Sequence, residues 1–248
     1  MMAINDPAGA AFRLCRALNA EGRHRCRLVT LETRYNHGWD KDLHLPDLGP
    51  DGLDEVAELL ATSDVFYFHM TLDETMPLGP FLPADYLRGK AVVHHHHGHP
   101  DFRGHPEKYQ EKYRRLGRKN LLVATPDLLK KLPGAQWQPN LVFVDDPGYR
   151  PDPADFAETD FWDGPLRLSH SPTRKDLKNT DELLVVVADL RAAGVSVDLD
   201  LIDGAPHVEC LARKKAAHAC FDHMNIKIDI RPEIFSPASV EPVRIACA

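Results

Sequence analysis

Six of the 14 histidines in this 248-residue chain fall within one short stretch, AVVHHHHGHPDFRGH, at residues 91–105. A neutral imidazole can accept a hydrogen bond from a hydroxyl group, and several imidazoles together can ligate zinc. Arg103 belongs to the same stretch, and a guanidinium pairs through two parallel hydrogen bonds with a phosphate or a carboxylate. The stretch therefore indicates contact with a hydroxylated or anionic ligand, or with a metal ion.

The histidine run ends an apolar segment, KAVVHHHH (90–97), whose composition predicts a β-strand. Alternate side chains of a strand share a face, so His95 and His97 are expected on one face and the histidine before each of them on the other. Ligands of open α/β sheets bind at the carboxyl ends of the strands, where Gly98 permits a sharp turn. The side chains best placed to meet a substrate follow from this position: His97, His99 and Arg103.

The first three histidines of the run, 94–96, are interpreted as packing or surface residues of the strand. Catalytic zinc sites combine two or three histidines with a carboxylate, and consecutive histidines on one strand converge poorly on a single ion. No native metal site is therefore predicted. A histidine-rich metal-binding module stays open as an alternative.

A second cluster lies in HSPTRKDLKNTDELL (170–184), between a predicted strand and a predicted helix. Three cations fall within five positions there, and two hydroxyl donors precede them: Arg174, Lys175, Lys178, Ser171 and Thr173. The start of a helix offers N–H groups and the positive end of the helix dipole, so a diphosphate is a natural ligand. The alternative is a solvated basic turn that caps the helix.

Before the first predicted helix the chain reads NDPAG (5–9), a turn at the carboxyl end of the first strand. Gly9 would let the backbone pass close to a ligand. The loop is not a dinucleotide fingerprint, because the pattern G-x-G-x-x-G is absent. An ordinary N-terminal turn is the alternative interpretation.

Short apolar runs alternate with helical patterns along most of the chain, which is typical of parallel sheets with right-handed crossovers. Runs such as DVFYFHM (64–70) and LVFV (141–144) predict strands. A proline-rich, acidic stretch then precedes a second alternation of strands and helices. The predicted organisation is a Rossmann-like domain at 1–150, a linker at 151–164, a partial Rossmann-like domain at 165–224 and an irregular tail at 225–248.

The predicted fold class is therefore α/β, with two Rossmann-like parallel-sheet domains facing a cleft. The second domain is expected to be incomplete, because too few residues follow the linker for a full doubly wound half. A formal net charge of −7 provides no broad basic face, which disfavours a nucleic-acid partner. Five cysteines without a CxxC pair indicate reduced thiols in the cytoplasm, and no apolar run predicts a transmembrane segment.

Five segments, in this order, resemble a retaining glycosyltransferase of the GT-B fold, in the group similar to glycogen synthase. They are NDPAGAAFRLCRALN, RLVTLETRYNHGWDKDLHLP, VVHHHHGHPDFR, LLVATPDLLKKLPGAQWQPN and LRLSHSPTRKDLKNTDELL. The resemblance implies transfer of a hexose from a nucleoside-diphosphate sugar to a hydroxyl acceptor, with retention of configuration. It also implies that no metal or other cofactor is required.

By this resemblance, Arg174 and Lys178 neutralise the departing diphosphate, and His97 contacts the sugar that is transferred. The first domain would hold the acceptor, with His99 and Arg103 on that side. The loop chemistry and the resemblance together give one expected donor-binding set: Gly9, Ser171, Thr173, Arg174 and Lys178.

The likeness ends after Met224, where the family carries a glycine-rich acidic motif that binds the donor. The chain instead reads NIKIDIRPEIFSPASVEPVRIACA (225–248). We therefore expect a truncated or frame-shifted member that has lost part of the donor site. A non-catalytic protein that binds a nucleotide or a sugar is the alternative function.

Overall fold

A computed structural model describes residues 1–6, 8–33, 41–142 and 164–222. The chain divides into two compact units, Met1–Phe143 and Val144–Ala248. The predicted linker lies outside the described residues except for Gly164, and the predicted tail lies outside them entirely. The domain boundaries drawn from the sequence stay predictions.

Unit one contains a seven-stranded sheet in which every pair of neighbouring strands is parallel. Its strands are β1 (Met2–Ala3), β2 (Val29–Thr30), β3 (Leu43–His44), β4 (Val65–His69), β5 (Ala91–His96), β6 (Asn120–Val123) and β7 (Gln136–Trp137). The α-helices among its described residues are α1 (Ala10–Ala20), α2 (Pro50–Thr62), α3 (Pro100–Gly104) and α4 (Pro106–Arg115).

The strand order of unit one is β3-β2-β1-β4-β5-β6-β7. This is the order of a doubly wound Rossmann sheet with one further strand at the edge. All the strands are parallel, but successive strands are added in one direction from β1 to β3 and in the other direction from β4 to β7. In such sheets the ligand crevice opens where this order reverses, between β1 and β4, outside the carboxyl ends of the strands. The end of β4 and the end of β5 therefore lie beside the expected ligand position.

Helices cover both faces of this sheet. Met2 packs with α2 in one buried cluster, while the next residue, Ala3, packs with Ala11 and Cys15 of α1 in another. A third buried cluster joins Tyr109 and Tyr113 of α4 to β6. The hydrophobic effect thus fixes the sheet between two helical layers, which holds the strand ends in place.

Unit two contains a three-stranded parallel sheet in the order β10-β8-β9. Its small core joins Leu183 and Val187 to Val197. The helices and strands among its described residues are β8 (Leu166–His170), α5 (Thr180–Ala192), β9 (Val197–Leu201), α6 (His207–Lys215) and β10 (Ala219–Phe221).

The predicted α/β class with two parallel sheets is confirmed. The strand predicted over LVFV is wrong for its first two residues, Leu141 and Val142, and the other two lie outside the described residues. The last strand among the described residues of unit one is instead β7, which pairs with β6. The pairing between β6 and β7 ends at the hydrogen bond that the Gln138 N–H donates to the Val123 carbonyl.

Candidate functional site

Three histidines converge on the α1 face of unit one, at the carboxyl ends of β4 and β5. His69 ends β4 and is the register partner of His95, and His97 follows β5. One nitrogen from each ring lies within 4.8 Å of the other two. His69 Nδ1 is 3.0 Å from His97 Nε2, and the His95 and His97 ring centres are 4.1 Å apart.

Sequence reasoning missed His69. The run DVFYFHM was predicted as a strand, and its sixth residue is this histidine. The signal that could have identified His69 is its position at the end of a predicted strand. Parallel neighbouring strands bring their carboxyl ends to one edge of the sheet, so His69 could be expected near the histidines that end β5. His95 and His97 do share a face, as the strand periodicity predicted.

Hydrogen bonds fix the orientation of His95 and His69. His95 Nε2 lies 3.2 Å from the Gln138 carbonyl, which can only accept, so this nitrogen carries the proton. The Tyr67 hydroxyl, 2.9 Å from His95 Nδ1, then donates to the remaining lone pair. In the same way His69 Nε2 faces the weak acceptor Met1 Sδ at 3.0 Å, which leaves Nδ1 of His69 as an acceptor.

Burial keeps these imidazoles neutral. It lowers the pKa of His69 well below its ordinary value, and neighbouring His97 and His95 lower it further. Burial also lowers the pKa of His95 to about 3 and that of His97 to about 4, the latter partly opposed by a hydrogen bond with Asn140. All three rings are therefore neutral near pH 7, and each has one unprotonated ring nitrogen.

A small cleft gives access to two of these rings. It spans about 190 Å³ including its open mouth, and His97 is half-buried beside it. Its lining comes from α1, from the end of β5 and from the segment after β7: Ala10, Leu14, His95, His97, Gln138, Pro139, Asn140 and Leu141. The cleft beside the rings admits a water, an ion or a single hydroxyl group.

The other two histidines of the run lie on the opposite face and are buried. His96 stacks on Phe102 with ring centres 4.0 Å apart, and its Nε2 is 2.7 Å from the Tyr113 hydroxyl. His94 stacks on Phe68 and approaches the carboxylate of Glu74. Both side chains thus have packing partners within the helical layer that contains α4.

Glu74 belongs to a buried charge cluster that the sequence did not reveal. Its Oε1 accepts from Arg118 at 2.8 Å, and its Oε2 lies 3.2 Å from His94 Nε2, outside hydrogen-bond geometry. The Glu74 side chain is only 3% exposed, and that of Arg118 is 22% exposed. A carboxylate so well buried is tolerated because of these partners.

The two residues predicted on the acceptor side are engaged in local structure. His99 caps α3, because its Nδ1 accepts from the backbone N–H of Asp101. Arg103 donates from Nε to the Gly98 carbonyl at 3.0 Å and pairs with Asp127 at 2.5 Å. Arg103 and Asp127 are both substantially exposed, so a ligand could compete for this guanidinium.

Replacing Gly98 by alanine is expected to destabilise unit one by about 1–2 kcal/mol. The φ angle of Gly98 is +80°, and an added Cβ would lie 2.7 Å from the Arg103 guanidinium. Gly104→Ala is the matched control, since nothing lies within 4 Å of its Cβ position and alanine favours helix. Urea unfolding measures the free energy of unfolding of each variant. An equal change in the two variants would contradict the strain assigned to position 98.

Gly9 adopts the left-handed conformation predicted to need glycine, with φ of 67° at the start of α1. The carboxylate of Asp6 accepts from the backbone N–H groups of Ala11 and Phe12 at 3.2 and 2.8 Å. Two of the donors at the start of α1 are therefore used by the protein itself. Gly9 lies in unit one, whereas the other predicted donor-binding residues lie in unit two.

The loop between β8 and α5, residues 171–179, carries the predicted cations at the carboxyl end of β8. Arg174 pairs with Asp176, Lys175 with Asp203, and Lys178 with Asp222. The Arg174 guanidinium lowers the pKa of the Asp176 carboxyl. About half of the Arg174 and Lys175 side chains is exposed, and a quarter of Lys178.

Buried hydrogen bonds hold this loop against its sheet. His170 ends β8 and bridges the Thr180 hydroxyl, at 2.9 Å from Nε2, to the Phe221 carbonyl, at 2.9 Å from Nδ1. Asn179 takes a left-handed conformation with φ of 54° immediately before α5. Ser171 is half-buried and Thr173 exposed on the same loop. The start of α5 is thus anchored by β8 and β10.

Comparisons of this chain with protein-family models and with curated proteins find no match. At the level of class, the sheets define an α/β protein whose first unit is Rossmann-like. The likeness to GT-B glycosyltransferases stays a prediction carried by the quoted motifs. Among the described residues, no helix combines the length and apolar character that crossing a bilayer requires.

Proposed function

We propose that this chain is a glycosyltransferase-like protein that binds a nucleoside-diphosphate sugar, with the diphosphate on the loop at 171–179. One observation carries the proposal: Arg174, Lys175 and Lys178 lie at the carboxyl end of β8, directly before a 13-residue helix. Ligands of α/β sheets bind at this edge. The first turn of α5 itself contains two acidic residues, so the cations supply most of the attraction for an anion.

The ion pairs of these cations do not oppose ligand binding strongly. Each is a pair with substantial solvent exposure on at least one partner, and such pairs contribute about 0–1 kcal/mol. Charge-assisted hydrogen bonds to a diphosphate are stronger and number several per ligand. A diphosphate can therefore replace Asp176 and Asp222 as the partner of Arg174 and Lys178.

The proposed reaction is front-face transfer of the hexose with retention, as the resemblance implies. The bond between the sugar carbon and the donor phosphate oxygen breaks while the acceptor oxygen bonds the same face of that carbon. The acceptor proton passes to the departing phosphate, whose charge Arg174 and Lys178 stabilise. His97 would accept a hydrogen bond from a sugar hydroxyl, and Arg103 would hold the acceptor. No metal is assigned to this reaction.

Non-catalytic binding of the same donor is the second candidate function. The observation that favours it is the absence of the family's glycine-rich acidic motif from residues 225–248. In this alternative the cationic loop still binds the donor, but the sugar is not transferred. The two candidates share the donor-binding prediction and differ only in product formation.

We also propose a cytoplasmic location. The cysteines within the described residues are free thiols: Cys15, Cys26, Cys210 and Cys220. Reduced cysteines persist in reducing compartments, which supports the location predicted from the sequence.

Isothermal titration of the full chain with UDP-, GDP- and ADP-sugars tests the proposal. We expect saturable binding of one nucleotide class, because the loop recognises the diphosphate and the base adds selectivity. Absence of binding by every donor, with a folded sample, would remove the proposal. Chromatography of the same mixtures after incubation with simple sugars then separates the candidates, since only a transferase releases nucleoside diphosphate together with a new glycoside.

A further inference from the structure

We propose that His69, His95 and His97 form a binding site for one divalent transition-metal ion of the zinc type. The site lies at the carboxyl edge of unit one, beside the point where the strand order reverses. The proposed function does not use a metal, so this inference goes beyond it. The sequence alone disfavoured a metal site because consecutive histidines on one strand converge poorly on a single ion, whereas His69 comes from the neighbouring strand.

Convergence of the three rings is the first argument. The nitrogen atoms lie within 4.8 Å of one another, and the His69–His97 pair is already at 3.0 Å. Ligands of a tetrahedral zinc ion, at 2.0–2.1 Å from the metal, are separated by about 3.4 Å. The widest separation therefore needs to close by about 1.4 Å, a change within reach of small side-chain rotations.

The outer partners of the rings are the second argument. A metal-binding histidine characteristically donates its other ring N–H to a carbonyl or similar acceptor, which fixes the tautomer and the ring plane. His95 does this toward the Gln138 carbonyl, and His69 faces Met1 Sδ. His97 has Asn140 as a further side-chain partner. A metal ion would replace the hydrogen that Tyr67 directs at His95 Nδ1 and the one shared by His69 Nδ1 and His97 Nε2, so that each ring directs one lone pair to a common centre.

Access and ligand type also suit a metal ion. The small cleft beside the His95 and His97 rings provides an entry path. Three imidazole nitrogens suit zinc, copper, cobalt or nickel better than magnesium or calcium. The fourth position of a tetrahedral ion would face the cleft and hold water.

The site makes a specific stoichiometric prediction. His94 and His96 are buried on the opposite face of β5, so they cannot join the same ion. His105 is exposed and lies outside the cluster. If the histidine run bound metals non-specifically, exposed histidines such as His105 would contribute to binding. The proposed site instead requires His69, which lies outside the run.

The experiment is titration of the full chain with Zn²⁺, after purification without a nickel column or a histidine tag. We expect one tight equivalent per chain, and we expect Co²⁺ to give the visible absorption bands of tetrahedral coordination. His97→Asn should weaken binding at least about 30-fold. His69→Asn should do the same, while His105→Asn, the matched control, should retain wild-type affinity.

Circular dichroism and melting of each metal-free variant ensure that any loss reflects the site rather than unfolding. His97 is half-buried, so its variant is the one expected to stay folded. Equal affinity of wild type and the His97 variant, or equal losses in the His97 and His105 variants, would overturn the proposal. Nucleotide titration uses the loop of unit two, so failure of this site and failure of the proposed function are distinguishable.

Discussion

Replacing Arg174 and Lys178 together by alanine is expected to weaken binding of a nucleoside diphosphate by at least about 100-fold. Hydrogen bonds to charged groups contribute about 1.5–3 kcal/mol each, and 1.4 kcal/mol is a tenfold change in dissociation constant. The variant also removes the Arg174–Asp176 and Lys178–Asp222 ion pairs, so both carboxylates repel the ligand more strongly. Isothermal titration of wild type and variant measures the difference directly.

The matched control removes the same charge elsewhere in unit two. Lys214 and Lys215 lie in the last turn of α6, which precedes β10 and therefore reaches the amino edge of the sheet. Their double alanine variant should bind the diphosphate within about threefold of wild type, because only the long-range field changes. Equal losses in the two double variants would mean that general charge, and not the loop at 171–179, attracts the nucleotide.

Replacing Glu74 by alanine is expected to destabilise unit one by about 3–5 kcal/mol. Removing one partner of a buried ion pair leaves the other without compensation, and here Arg118 and His94 both face Glu74. Urea unfolding followed by circular dichroism measures the change. Glu111→Ala on α4 is the control, since its pair with Arg114 is exposed and contributes less than about 1 kcal/mol. Similar effects of the two substitutions would contradict the assigned burial.

The same carboxylate predicts a dependence of stability on pH. Burial would raise the pKa of Glu74, but His94 and Arg118 outweigh it and lower that pKa to about 2, against an ordinary value of 4.5. A lowered folded-state pKa stabilises the fold above pH 4.5, by about 3 kcal/mol, and this contribution is lost as pH falls toward 2. Glu74→Gln should remove that component, so an unchanged acid dependence in the variant would refute it.

Local patterns in the sequence predicted several features of the site. Period-two alternation correctly separated His95 and His97 from the other two histidines of β5, because strand geometry depends only on neighbouring residues. The turn at Gly98 and the cationic loop before α5 follow equally local signals. These features need no knowledge of which strands are neighbours.

Features that depend on pairing between distant segments could not be predicted in this way. His69 reaches His95 only because β4 and β5 are adjacent in register, and no local pattern encodes that register. The partners of Lys175 and Lys178, Asp203 and Asp222, follow the neighbouring strands β9 and β10. The buried position of Glu74 likewise depends on Arg118, 44 residues further along the chain.

Hydrogen–deuterium exchange of the full chain, with and without the nucleoside diphosphate that binds best among UDP, GDP and ADP, tests the central claim most directly. The proposal predicts slower exchange of backbone amides in peptides covering residues 171–183, since the ligand holds the loop and the first turn of α5. Peptides from α2 should be unchanged and provide an internal reference. Bound nucleotide without protection of 171–183, or with protection confined to other segments, would contradict the assignment of the diphosphate to this loop.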